Sequence, residues 1–167
     1  MATHMHHAIL PASISNSPDC KIVYICRNPK DMLVFLWHFS RRVQPDLAFS
    51  DVFEQAREGV SFSGPIWDHV LGYWNASKES PETVLFLRYE EILLDPVGNV
   101  RKLARFETMR GLEVNRAAGS GSLLFPNGCY FRRGEAGDWA NHMTPEMARR
   151  LDAVMEEKLR GSGLSFA

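Results

Sequence analysis

The sequence predicts an α/β fold, a partial three-layer α/β/α domain with a parallel sheet. Three observations carry this. Two short β-branched and aromatic runs, KIVYIC at 21–26 and TVLFLRYEE at 83–91, read as strands. Helical periodicity fills the chain between and after them. Strands separated by helices are joined by crossovers, the connection of parallel neighbours, rather than by a hairpin. Two strands alone make a poor open sheet, so the domain reads as incomplete.

The elements follow in order. KIVYIC reads as a buried strand that ends at Arg27. Asn28 is placed to cap a helix and Pro29 to open it. The following MLVFLWHF is apolar nearly all round, which predicts a largely buried helix. A short helix is expected over 51–58 behind Ser50 as cap, and another from Pro65, with Ile66, Val70, Tyr73 and Trp74 at helical spacing. Ser80-Pro81 ends it. The second strand follows, with Tyr89, Glu90 and Glu91 at its end, and then a helix from Pro96 to Arg105. The stretch 107–128 has no periodicity and predicts an irregular loop. The last helix has Thr144 as cap, Pro145 at its first position, an apolar face of Met147, Leu151, Val154 and Leu159, and Gly161 as stop signal. One domain is expected over 1–167.

Composition narrows the function classes. Hydrophobic residues at 45% and charged residues at 23% suit an ordinary globular core. A net charge of −1 argues against a nucleic-acid binder but leaves room for a small anion, which needs only a few local cations. The three cysteines, Cys20, Cys26 and Cys129, form no CxxC pair, so neither a disulfide framework nor a zinc site is expected, and a reducing cytoplasm is the plain reading. MATHMHHAIL lacks the pattern of a signal peptide, and no apolar run approaches the ~18 residues of a membrane span.

Several residues are candidates for chemistry. Arg27 sits at the carboxyl end of a strand, where α/β sheets place ligands, ahead of a helix whose free N–H groups attract anions. It could grip a phosphate or pair with a nearby carboxylate, with Lys30 merely solvated. Arg132-Arg133-Gly134 could let backbone and guanidinium groups approach an anion together, or form an exposed basic loop. His4, His6 and His7 could supply a general base, but no carboxylate or cysteine joins them at metal-binding spacing, so no metal is expected. Tyr89 could stack on a base or simply pack.

ATHMHHAILP, KIVYICRNPKDMLVFLWHF, GPIWDHVLGYW, VLFLRYEEI and FRRGEAGDWANHMTPEMARRLDAVMEEKLRGSGLSF, in this order, resemble the cytosolic sulfotransferase family, its plant branch in particular. The resemblance implies a truncated form of the P-loop-NTPase-like sulfotransferase fold. It implies transfer of a sulfonate from 3′-phosphoadenosine 5′-phosphosulfate (PAPS) to the hydroxyl of a small acceptor, a phenol, flavonoid or steroid. His4 matches the family's catalytic base. Arg27 matches the arginine on the cofactor's 3′-phosphate, and Arg132, Arg133 and Gly134 match the loop that closes on the same phosphate, with Tyr130 and Phe131 leading into it. Tyr89 matches a residue beside the adenine. Phe106, Glu107, Thr108 and Met109 look like the remnant of a nucleotide-contacting loop.

The sequence also departs from the family pattern. The lysine-serine-glycine-threonine-threonine-tryptophan phosphate loop is absent from these residues, and Phe35 stands where a serine normally assists the 3′-phosphate. A stretch including a helix is expected to be missing between Arg105 and Phe106. Beside the transferase reading therefore stands an inactive relic that binds adenosine 3′,5′-bisphosphate or a homologous partner. Another α/β nucleotide-binding enzyme, such as a kinase, is disfavoured by the lack of a GxxxxGK[ST] segment.

Overall fold

Strands β1 (Ile22–Cys26) and β2 (Val84–Arg88) pair in parallel, with Tyr24 beside Phe86 and Cys26 beside Arg88. The structure, a computed structural model, describes residues 3–61, 63–105 and 135–166. The loop expected at 107–128 falls outside the described residues. Between the strands run α2 (Pro29–Ser40), α3 (Phe49–Arg57) and α4 (Ile66–Glu79), the crossover that parallel pairing requires. A short α1 (Ala12–Ser15) precedes β1, behind a 3-10 turn at His7–Ile9. After β2 come α5 (Tyr89–Leu94), α6 (Pro96–Arg105), a 3-10 turn at Asp138–Asn141 and α7 (Pro145–Leu159).

Side chains alternate across a strand, and the two faces of this sheet differ. Tyr24, Cys26 and Phe86 join a core that includes Leu33, Val34, Phe53, Val70, Leu151 and Met155. On the opposite face Leu87 is buried but Ile25, beside it, is 56% exposed. The expected α/β fold is present, with its second face covered only in part. Of KIVYIC, only Cys26 is fully buried, so the expectation of a buried strand was too broad.

The helix signals succeed where a polar cap decides them. The Asn28 side chain accepts the Lys30 N–H at 3.0 Å, and the Thr144 hydroxyl accepts the Met147 N–H at 3.2 Å. They fail where packing decides. Helix α3 starts at Phe49 behind Ala48, and Ser50 lies inside it, because Phe49 packs its ring edge-on against Trp37 and is drawn into the first turn. Only the first half of α2 is largely buried, and Phe35 to Ser40 are half-buried. The second strand stops at Arg88, and Tyr89, Glu90 and Glu91 open α5. Two carboxylates in a first turn suit the positive end of a helix, which explains the switch. The buried face of α7 is Ala148, Leu151, Met155 and Leu159, while Met147 and Val154 are half-buried. Gly161 ends it at φ 79°, a left-handed conformation that favours glycine. Among the described residues no helix is long and apolar enough to cross a membrane.

Candidate active site

At the carboxyl end of β1, Arg27 donates through Nη2 to the Glu135 carbonyl at 2.8 Å. Its guanidinium lies 4.8 Å from the centre of the Tyr89 ring, at the matching end of β2. Its Nε is buried without a hydrogen-bond partner. A guanidinium over a ring, with a donor unspent, is suited to a phosphate beside an aromatic group. Glu135 directly follows Gly134 in the sequence, so Arg27 holds the backbone at the exit of the Arg132-Arg133-Gly134 segment.

The neighbouring groups are structural. The Asn28 N–H donates to Glu90 Oε1 at 2.8 Å. The thiol of Cys26 is pushed up to about 12, first by burial and then by the Glu90 carboxylate, with Arg88 partly opposing. A thiol so poorly ionised is no nucleophile.

The first turn of α2 then grips the chain downstream. Lys30 is buried rather than solvated; its Nζ donates to both oxygens of Asp152 at 2.7 and 2.8 Å and lies 4.6 Å from the Trp139 ring centre. Asp31 is only 1% exposed and accepts the backbone N–H groups of Gly137 at 2.6 Å and Trp139 at 2.9 Å. Gly137 adopts φ 89°, which turns the segment so that both N–H groups can meet one carboxylate. Lys30 was read from the sequence only as a solvated side chain, and Asp31 was not singled out. The available signal was a charged pair opening a helix that is otherwise apolar all round.

His4 is exposed and lies elsewhere. With Thr3, Met5, His6, Ile9, Ser63 and Gly64 it lines an open groove of about 500 Å³, to which Arg27, Tyr89 and Glu135 do not contribute. The His4 backbone is tied to α4: His69 Nε2 stands 3.2 Å from its carbonyl oxygen. A carbonyl only accepts, so Nε2 carries the hydrogen and Nδ1 accepts the Tyr24 hydroxyl at 3.0 Å. Burial lowers the His69 pKa below its ordinary value, favouring the neutral ring that this pattern requires. Burial also raises the Tyr24 hydroxyl well above the usual phenol range. One turn on, the Tyr73 hydroxyl donates to the Met5 carbonyl at 2.8 Å. The rings of His6 and His7 pack edge-on against His69 and Tyr73. Gly64 permits this approach, since a Cβ there would sit 2.8 Å from His6 Nε2.

Of the residues singled out from the sequence, the structure brings Arg27 and Tyr89 together and places His4 in a separate groove. Phe106, Glu107, Thr108, Met109, Tyr130, Phe131, Arg132, Arg133 and Gly134 lie outside the described residues. Among the described residues no histidine, cysteine and carboxylate group is arranged to hold a metal.

Comparison with known proteins bears on this geometry. A family model described as a sulfotransferase domain matches residues 1–115 and 104–163. The flavonol 4′-sulfotransferase of Flaveria chlorifolia is 40% identical over 193 residues, covering 98% of this chain and 60% of the relative. Cytosolic sulfotransferase 8 of Arabidopsis thaliana is 41% identical over 192 residues, covering 99% and 57%. The chain thus spans about three-fifths of the length of these relatives. Among solved structures, a mouse sulfotransferase complexed with PAP superposes with TM-score 0.81 at 28% identity, covering 98% of this chain and 67% of that one. A putative steroid sulphotransferase of Arabidopsis thaliana gives TM-score 0.70 at 37% identity, covering 97% and 52%.

Proposed function

This chain belongs to the sulfotransferase domain family, and we propose that it carries the 3′-phosphate side and the general base of a PAPS-dependent transfer of sulfonate to a small hydroxylated acceptor. The observation that carries the reading is Arg27: a guanidinium at a strand's carboxyl end, laid on Tyr89, with Nε buried and unpartnered. Its charge suits the 3′-phosphate and Tyr89 suits the adenine. In this reading Arg132, Arg133 and Gly134 close on the same phosphate, Tyr130 and Phe131 lead into that loop, and Phe106, Glu107, Thr108 and Met109 contribute to the nucleotide wall.

His4 takes the proton of the acceptor hydroxyl as that oxygen attacks sulfur. The bond from sulfur to the bridging phosphosulfate oxygen breaks, and adenosine 3′,5′-bisphosphate leaves with the electron pair. The groove beside His4, walled by Met5, His6 and Ile9, is the acceptor side. A flavonol or other phenol is the acceptor class in view, by analogy with the relative named for flavonol sulfonation. A cytoplasmic location is proposed from the relative named as cytosolic.

A second reading is that these 167 residues bind adenosine 3′,5′-bisphosphate without turnover. It is favoured by the absence from them of a phosphate loop to stabilise the leaving oxygen, since a general base supplies only about 10²–10⁴-fold. Transfer of radiolabelled sulfonate from PAPS to a simple phenol or flavonoid separates the two. Turnover abolished by His4→Ala supports the transferase. Bisphosphate binding without turnover supports the second reading, and turnover insensitive to His4→Ala removes His4 from the mechanism.

A further inference from the structure

We infer that His69 is a positioning residue for His4, acting through a chain of neutral hydrogen bonds that runs from β1 to the backbone of the amino-terminal segment. The inference rests on the reading of His4 as the base and names what orients it. His4 is exposed, so its side chain keeps one direction only if its backbone is tied down. A base that frays loses the alignment that catalysis requires.

The structure supplies a specific restraint instead. Tyr24, in the middle of β1, donates its hydroxyl to His69 Nδ1, which fixes the ring with hydrogen on Nε2. That nitrogen points at the His4 carbonyl. His69 is thereby held at both ends, and the order of the sheet passes to residue 4. Tyr73, four residues further along α4, holds the next carbonyl, that of Met5. Its ring stacks on Tyr24 at 4.2 Å and 10°. Two adjacent carbonyls are thus gripped by two side chains one helical turn apart on α4, and both side chains are braced by the same strand residue. The His6 ring against His69 closes the outer side. The chain of bonds needs a group at 69 that donates at the Nε2 position, so a residue that merely fills the volume does not suffice.

The test compares His69→Gln, whose amide nitrogen can donate where Nε2 does, with His69→Phe, which keeps a ring and donates nothing. Amide hydrogen exchange is read at Ile9 and Leu10, whose N–H groups bond to the carbonyls of His6 and His7 within the same segment. The expected result is that His69→Phe accelerates their exchange by up to about tenfold while β1 and β2 are unchanged, and that His69→Gln restores most of the protection. Nitrogen NMR of the His69 ring should show hydrogen on Nε2 and none on Nδ1. Equal exchange in the Phe variant and the unaltered chain, equal behaviour of Phe and Gln, or hydrogen on Nδ1 would each overturn the inference. Should His69→Phe fail to fold, Tyr24→Phe and Tyr73→Phe remove one bond each from the same restraint, and unchanged exchange in both has the same meaning. None of these readouts depends on turnover, so a failure of His4 as base appears in the transfer assay alone and leaves the restraint separately decided.

Discussion

At the carboxyl end of β1 the chain is held by charged side chains, two of them buried: Lys30 on Asp152 and Asp31 on the N–H groups of Gly137 and Trp139, with Arg27 on the Glu135 carbonyl nearer the surface. At the amino-terminal segment it is held by neutral side chains, His69 and Tyr73, that reach two backbone carbonyls. The difference lies in what failure costs. A buried carboxylate or ammonium that loses its partner remains as an uncompensated charge, whereas a neutral bond that breaks near the surface is replaced by water. The end built on Arg27 should therefore be rigid and intolerant of substitution, and the end carrying His4 should be adjustable. Under the proposed function the first would face the nucleotide and the second the acceptor.

The largest effect expected from this contrast is at Asp31. Asp31→Ala strands two backbone N–H groups in a buried site, and urea unfolding should show a loss of about 3 kcal/mol or more. A loss under about 1 kcal/mol would mean that the 135–139 segment is held by something else. Lys30→Met comes next. Its partner Asp152 is 39% exposed and can return to water, and the methionine fills the space, so the loss should be near 1–2 kcal/mol. If it equals that of Asp31→Ala, burial of the partner is not what sets the scale.

At the neutral end, Tyr24→Phe should cost about 1 kcal/mol, measured the same way. The smallest effect is the pH dependence from His69. Its folded pKa lies below its ordinary value of 6.5, so as pH falls through 6.5 the unfolded chain takes up a proton first. Its contribution to stability is present above that pH and is lost as the pH falls from there towards the folded value. Tyr24→Phe should change this slope while Lys30→Met leaves it intact. The reverse would put the titrating group at the charged end.

The parts of this arrangement that were legible in the sequence are local. Asn28-Pro29 and Thr144-Pro145 each carry their capping chemistry within a few residues, and both helices begin where those pairs place them. The placement of Arg27 at the carboxyl end of a strand was legible from the apolar run before it. The partners of Asp31 lie 106 and 108 residues away, so nothing beside Asp31 marks it as an anchor rather than a carboxylate complementing a helix dipole. His69 reads as one polar position on an amphipathic helix until the fold brings the His4 carbonyl to it. The end of β2 was misread for a related reason. YEE continues a strand by pattern, and it is the Asn28 N–H, from another element, that engages Glu90 at the first turn of a helix.

The central claim, that the charged end is an anion site built on Arg27, is tested most directly by calorimetric titration with adenosine 3′,5′-bisphosphate. The unaltered chain should bind it, and Arg27→Ala should weaken binding by at least about 1.5 kcal/mol, roughly tenfold, through loss of a charge-assisted contact. His69→Phe, at the neutral end, should leave the affinity unchanged. Equal affinity in Arg27→Ala and the unaltered chain, or no binding by either, would contradict the account.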